Sequence, residues 1–216
     1  MMDARIRSAL ASVVIALAAG SAASCNTDPV HKAAVDNLGP EIAGVPKGEY
    51  HRAGQPCLTC HGGEGPAKQV FTVAGTVFYG PANTQPPIGV GGVTVTIEDD
   101  YGSTYAFTTN CVGNFYVQPG DWPAGGPFFP LLVTISATVP EPNNGAETPT
   151  YLAPSMVSHI GRTGSCADCH QYVTQDNYYM TPGLVNLTQT VDDPNYQGSD
   201  PNCPVNPVPA GYGGGP

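Results

Sequence analysis

Two five-residue stretches carry the chemistry of this chain. Cys57-Leu58-Thr59-Cys60-His61 and Cys166-Ala167-Asp168-Cys169-His170 repeat one pattern: two thiols three positions apart, with a histidine directly behind the second. Cys-x-x-Cys-His is the attachment site of c-type haem. The spacing follows from the chemistry. Two thiols add across the two vinyl groups of the porphyrin, and the next imidazole is held beneath the ring, where it ligates iron. The pattern predicts two covalently bound c-type haems, attached through Cys57, Cys60, Cys166 and Cys169, with His61 and His170 as proximal iron ligands.

Other uses of paired thiols fit less well. A four-thiolate zinc ribbon keeps roughly 15–20 residues between its pairs. Here Cys60 and Cys166 stand about a hundred positions apart, and zinc has no need of a histidine after each pair. A thioredoxin-like redox pair wants a βαβ setting, and no such pattern surrounds either motif.

The chain has five histidines, so three remain to complete the irons. His51 precedes Cys57 by six residues and His159 precedes Cys166 by seven, and each intervening run contains Gly. The matching positions predict two bis-His haems with His51 and His159 as distal ligands. Which serves which haem stays open. His31 is the reserve, and Met156 or Met180 would instead raise the potential, as Met/His ligation does. A spare histidine can equally be an ordinary surface residue.

The start of the chain reads as an export signal over residues 1–24. Arg5 and Arg7 open it, Ser8 to Gly20 is apolar but too short to span a bilayer, and small residues follow. Ala22-Ala23-Ser24-Cys25 resembles a bacterial lipobox, in which Cys25 is lipidated and becomes the new N-terminus. Cleavage near Ala23 without lipid is the other reading. Export suits haem attachment, which in bacteria occurs outside the cytoplasm. Of the seven cysteines, Cys111 and Cys203 then form an even pair for a disulfide in an oxidising compartment. Two free buried thiols are the alternative.

Composition narrows the rest. The 216 residues include 27 Gly and 23 Pro, which leaves little room for long helices. The formal charge of -10 argues against nucleic acid, which demands a basic patch. From residue 69 onward the pattern has period two. Strands are expected over 70–79, 93–97, 105–109, 114–117 and 131–139, separated by Gly, Pro and Asp turns. Val93, Val95 and Ile97 should share a face. Asp99-Asp100 reads as a solvated turn. A short helical stretch is expected near Val35, and 184–187 as an edge strand. The organisation is a signal peptide (1–24), a tether and first haem segment (25–68), a β module (69–140), a linker and second haem segment (141–190), and a Pro/Gly-rich tail (191–216). The fold class is mainly β: an antiparallel β-sandwich flanked by irregular haem-binding segments, with little helix.

The series Val73-Ala74-Gly75-Thr76-Val77, Gly92-Val93-Thr94-Val95-Thr96-Ile97, Asp100-Tyr101-Gly102-Ser103, Thr108-Thr109-Asn110 and Gly113-Asn114-Phe115-Tyr116-Val117 resembles carboxypeptidase-regulatory-like, prealbumin-like β-sandwich modules over residues 69–140. The resemblance implies a scaffold or binding module and brings no catalytic residues. With the two haem motifs, the whole chain resembles exported di-haem c-type cytochromes.

The function expected is electron transfer at the envelope of a Gram-negative bacterium, in the periplasm or on an outer-membrane or cell-surface lipoprotein. The chain reads as a carrier rather than an enzyme. Its acidity suits basic redox partner proteins. Self-association is possible, and the membrane would be met only through a lipid anchor. The alternatives are a haem-containing β-sandwich binding or sensor lipoprotein, and a small haem peroxidase or reductase, which would need an open iron position.

Overall fold

Alternation in Thr94–Glu98 sets the orientation of the larger sheet: Val95 and Ile97 are buried, and Thr94, Thr96 and Glu98 point outward. The computed structural model describes residues 28–41, 45, 47–79, 89–122, 125–139, 150–152, 154–171 and 180–187. The expected signal peptide, Cys25, Cys203, residues 140–149 of the β module and linker, and the 191–216 tail lie outside the described residues.

The chain divides into two units, Met1–Gly39 and Pro40–Pro216. In the first, helix α1 spans Pro29–Asn37. Asp28 caps it by accepting from Val30 N at 2.9 Å, and Pro29 sits at the first position, where no N–H is needed. This is the short helix anticipated near Val35. Among the described residues no helix is long and apolar enough to cross a membrane.

The second unit is mainly β with antiparallel sheets, as expected. Strands β1 (Val73–Thr76) and β4 (Asn114–Val117) form a two-stranded sheet. Strands β2 (Thr94–Glu98), β3 (Thr104–Thr108), β5 (Leu132–Val139) and β6 (Thr150–Leu152) form another, in the order β3-β2-β5-β6. In the larger sheet Val95 stands opposite Phe107 and Ile135, and Ile97 opposite Tyr105 and Val133. Directly opposed side chains share a face, so two apolar rows cross three strands. Val73, Phe115 and Val117 of the smaller sheet join the same hydrophobic core, with Trp122 and Leu131.

Three expectations need correction. The strand read over 70–79 is shorter, because the backbone N–H of Phe71 is drawn to His61 O at 2.8 Å before the strand begins. The edge strand at 184–187 is a single bridge, Asn186 to Phe78. Asp99 is not a solvated turn residue but 5% exposed. Its Oδ1 accepts from Tyr101 N at 3.0 Å and Ser103 N at 2.9 Å, and the 125–130 loop covers it, with Phe128 N 3.5 Å from Oδ2.

Removing a buried acceptor strands its donors at about 1–3 kcal/mol. Asp99→Ala should therefore lower the free energy of unfolding by roughly that amount in urea titrations, with the slope unchanged.

Candidate haem-attachment site

Both motifs fold into the same single turn. Helix α2 (Leu58–His61) carries the first, and a 3-10 turn, Cys166–Asp168, opens the second. His61 N donates to Cys57 O at 2.9 Å, and His170 N donates to Cys166 O at 2.8 Å. Cys60 N and Cys169 N donate to the same two carbonyls, at 3.1 and 3.3 Å. The turn gathers each pair of thiols and the histidine behind it into one local unit. All four thiols are free.

Each imidazole is then tied by one nitrogen. His61 Nδ1 lies 2.9 Å from Gln69 O, and His170 Nδ1 lies 2.8 Å from Gly183 O. A carbonyl only accepts, so Nδ1 carries the proton and donates. Nε2 keeps its lone pair, the state a metal ligand requires. Burial lowers the pKa of both imidazoles from the ordinary 6.5, against the bond to Gln69 or Gly183, which raises it; His51 lowers that of His61 further. Both rings therefore favour the neutral, ligating form. Phe71 stacks on His61 at 4.2 Å with planes 9° apart, and Tyr116 stacks on Phe71 at 4.4 Å.

Strand β1 brings the motifs together. Ala74 bridges to Ser165, and Ala74 N donates to Gly164 O at 2.9 Å, so the second motif closes the edge of β1 that β4 leaves open. Two glycines permit this approach. A Cβ at Gly164 would meet Thr72 O at 2.0 Å, and one at Gly75 would meet Cys166 Cβ and Sγ at 2.8 Å. On the first motif's side, Gly54 N donates to Thr76 Oγ1 at 2.8 Å, three residues before Cys57. The thiols are near enough to interact. Desolvation pushes the Cys166 thiol up to about 12, with Cys57, Asp168 and Cys169 adding to it. Desolvation likewise pushes Cys57 up to about 11, with Cys60 and Asp168 adding. Asp168 is fixed within the motif, accepting from Ser165 Oγ at 2.8 Å and Thr163 Oγ1 at 3.2 Å.

His51 stands beside the first motif, its ring centroid 6.0 Å from that of His61. Its Nδ1 lies against Gly48 O, with Gly48 N 3.2 Å away. Both contacts are made to Nδ1, so Nε2 is the ring nitrogen that Gly48 does not engage. Metal–imidazole bonds run about 2.0–2.1 Å, so two imidazoles on one ion hold their centroids roughly 6 Å apart. The 6.0 Å between the His51 and His61 rings matches that spacing, and to this extent the residues present fit a haem at the first motif.

The remaining candidates are placed differently. His159 is exposed beside Ile160, which pairs with Leu131, and no hydrogen bond orients its ring among the described residues. Met156 packs against the core, and Met180 is largely exposed. His31 lies on α1 in the first unit, and its Nε2 is buried with no partner among the described residues. Cys111 is disulfide-bonded; Cys203, the partner expected from parity, lies outside the described residues. Among the described residues no three His, Cys, Asp or Glu side chains gather as a protein-only metal site would require, so the four thiols do not converge as in a zinc ribbon. The sequence did not single out Thr76, Asn114, Phe71 or Gly75, whose roles arise only from long-range packing.

No family model, curated protein or solved structure matches this chain. The resemblance to c-type cytochromes rests on the two sequence motifs alone.

Protonation links the site to stability. The Cys57 and Cys166 pKa values are raised above 9.0, so their contribution is whole below pH 9 and is lost as pH climbs toward about 11 and 12. Those of His61 and His170 are depressed, so their contribution is present above 6.5 and lost as pH falls through the folded values. Thermal melts of the chain without haem should be most stable between about pH 6.5 and 9 and decline on both sides. Cys57→Ser with Cys166→Ser should flatten the alkaline side.

Proposed function

We propose that this chain is a di-haem c-type cytochrome that carries electrons at the bacterial cell envelope. One observation supports this most. Two motifs more than a hundred positions apart fold into the same turn, and each histidine is tied through Nδ1 to a carbonyl so that Nε2 is free. A structural thiol pair has no use for that arrangement. Bound haem supplies one-electron chemistry, its iron cycling between the ferric and ferrous states.

The protein's part is attachment, orientation and access. Cys57 and Cys60 hold one porphyrin, and Cys166 and Cys169 the other. His61 and His170 present Nε2 to the irons, and the Phe71 stack fixes the plane of His61. His51 completes the first iron. The second is assigned to His159, on its sequence position. The neighbouring Cys57 and Cys166 would hold the two groups near one another. The acidic chain favours brief, salt-sensitive encounters with a basic redox partner. Export and a lipid on Cys25 complete the reading.

The exposure of His159 favours a second reading for the second haem only. If that histidine does not ligate, the iron keeps an open position and the protein senses or reduces a small ligand.

The test is intact mass and optical spectra of protein matured with a haem-attachment system. Two covalent macrocycles are expected, with a low-spin spectrum. Gly75→Val, whose side chain would collide with Cys166, should lose the second macrocycle and keep the first. A colourless protein without added mass contradicts the proposal. A high-spin ferric signal with carbon monoxide uptake at the second haem alone supports the second reading.

A further inference from the structure

We infer that Asn114 and Thr76 are positioning residues for the iron ligand His51. They form a clamp by which the β1–β4 sheet holds the sixth position of the first haem. The inference rests on the proposed haem function and on His51 as ligand, and it adds what keeps that ligand in place.

The clamp grips both ends of one short segment. Asn114 Nδ2 donates to His51 O at 3.1 Å and to Glu49 O at 3.3 Å. Asn114 Oδ1 accepts from Thr76 Oγ1 at 2.7 Å, and Thr76 Oγ1 accepts from Gly54 N at 2.8 Å. Asn110 Nδ2 adds a bond to Glu49 O at 2.6 Å. The chain from Glu49 to Gly54 is thus pinned at its start, at His51 and at its end, by side chains facing away from the hydrophobic core. Both Asn114 and Thr76 are buried. Buried polar groups are costly unless satisfied, and here the amide carbonyl, the amide nitrogen and the hydroxyl are all used.

The segment they hold is strained. Arg52, directly after His51, has φ 52, in the left-handed region that a residue with a Cβ rarely enters. Such a residue persists only where its surroundings over-determine it, and strain of this kind gathers at ligand clamps. Around Arg52 the backbone is fixed by Asn114 on one side and Thr76 on the other. Its side chain is fixed by Gln55 Oε1 at 2.6 Å and Glu41 Oε1 at 3.1 Å. In the chain the left-handed turn lies between His51 and the helix that carries Cys60 and His61, with Cys57 at its cap. Releasing either end lets the turn relax and withdraws the imidazole from iron, while the covalent thioethers stay.

The experiment compares haem-loaded wild type with Thr76→Val, Asn114→Ala, Thr76→Ser and His51→Ala. Intact mass first establishes that both macrocycles are present in each. Ferric optical and electron-spin-resonance spectra then report spin state, and stopped flow reports carbon monoxide binding to the ferrous form. Thr76→Val and Asn114→Ala should each develop a high-spin fraction above wild type. Their carbon monoxide binding should rise about tenfold, the factor that one lost buried hydrogen bond carries. Added imidazole should restore the low-spin spectrum, and Thr76→Ser, which keeps the hydroxyl, should behave as wild type. Hydrogen exchange at the Gly54 amide should quicken in Thr76→Val alone of the two threonine variants. The inference is overturned if His51→Ala becomes high-spin while Thr76→Val and Asn114→Ala keep wild-type spectra and rates. If His51→Ala itself stays low-spin, the ligand assignment falls and the clamp with it, whereas the two thioether-bound haems stand or fall by mass alone.

Discussion

Strand β1 is four residues long, yet the hydrogen bonds along its two edges and from its last side chain position both attachment motifs. One edge pairs with β4. The other receives Gly164 and Ser165, the residues immediately before Cys166. At its end the Thr76 hydroxyl takes the Gly54 amide, just ahead of Cys57. A bond of this kind contributes about 0.5–1.5 kcal/mol, and a donor left unmade in a buried place costs more. The two motifs thus share one support. The second motif lies close against that support, which is why small residues at 75 and 164 matter there.

Around that support four groups are biased to the uncharged form. Burial raises the Cys57 and Cys166 thiols and lowers the His61 and His170 imidazoles. For the imidazoles this is the ligating form. Their Nδ1 protons are committed to backbone carbonyls of Gln69 and Gly183, groups that cannot titrate. Asp168 acts on both Cys57 and Cys166 and is steadied by Ser165 and Thr163.

The two Cys-x-x-Cys-His motifs were legible in the sequence because each lies within five residues. The strands around Val95 and Ile97 were legible because one buried face imposes a period of two. Other features depend on contacts that no local pattern carries. Asp99 looks like any turn aspartate until the loop at Phe128 covers it. Thr76 and Asn114 meet across 38 positions, and nothing in the neighbourhood of either marks it. The strand read from residue 70 gives up its first residues because His61 O and the His61 ring take the backbone and side chain of Phe71. His51 and His159 had equal standing by spacing. The fold separates them, since among the described residues His51 is held through Nδ1 and set beside His61, whereas His159 is exposed.

The most direct measurement is peptide mapping by mass spectrometry of the protein matured in a cell that attaches haem. The account predicts that the fragment containing residues 57–61 and the fragment containing 166–170 each carry one macrocycle, with no alkylatable thiol at Cys57, Cys60, Cys166 or Cys169. Unmodified fragments whose four thiols all react with an alkylating agent would contradict it.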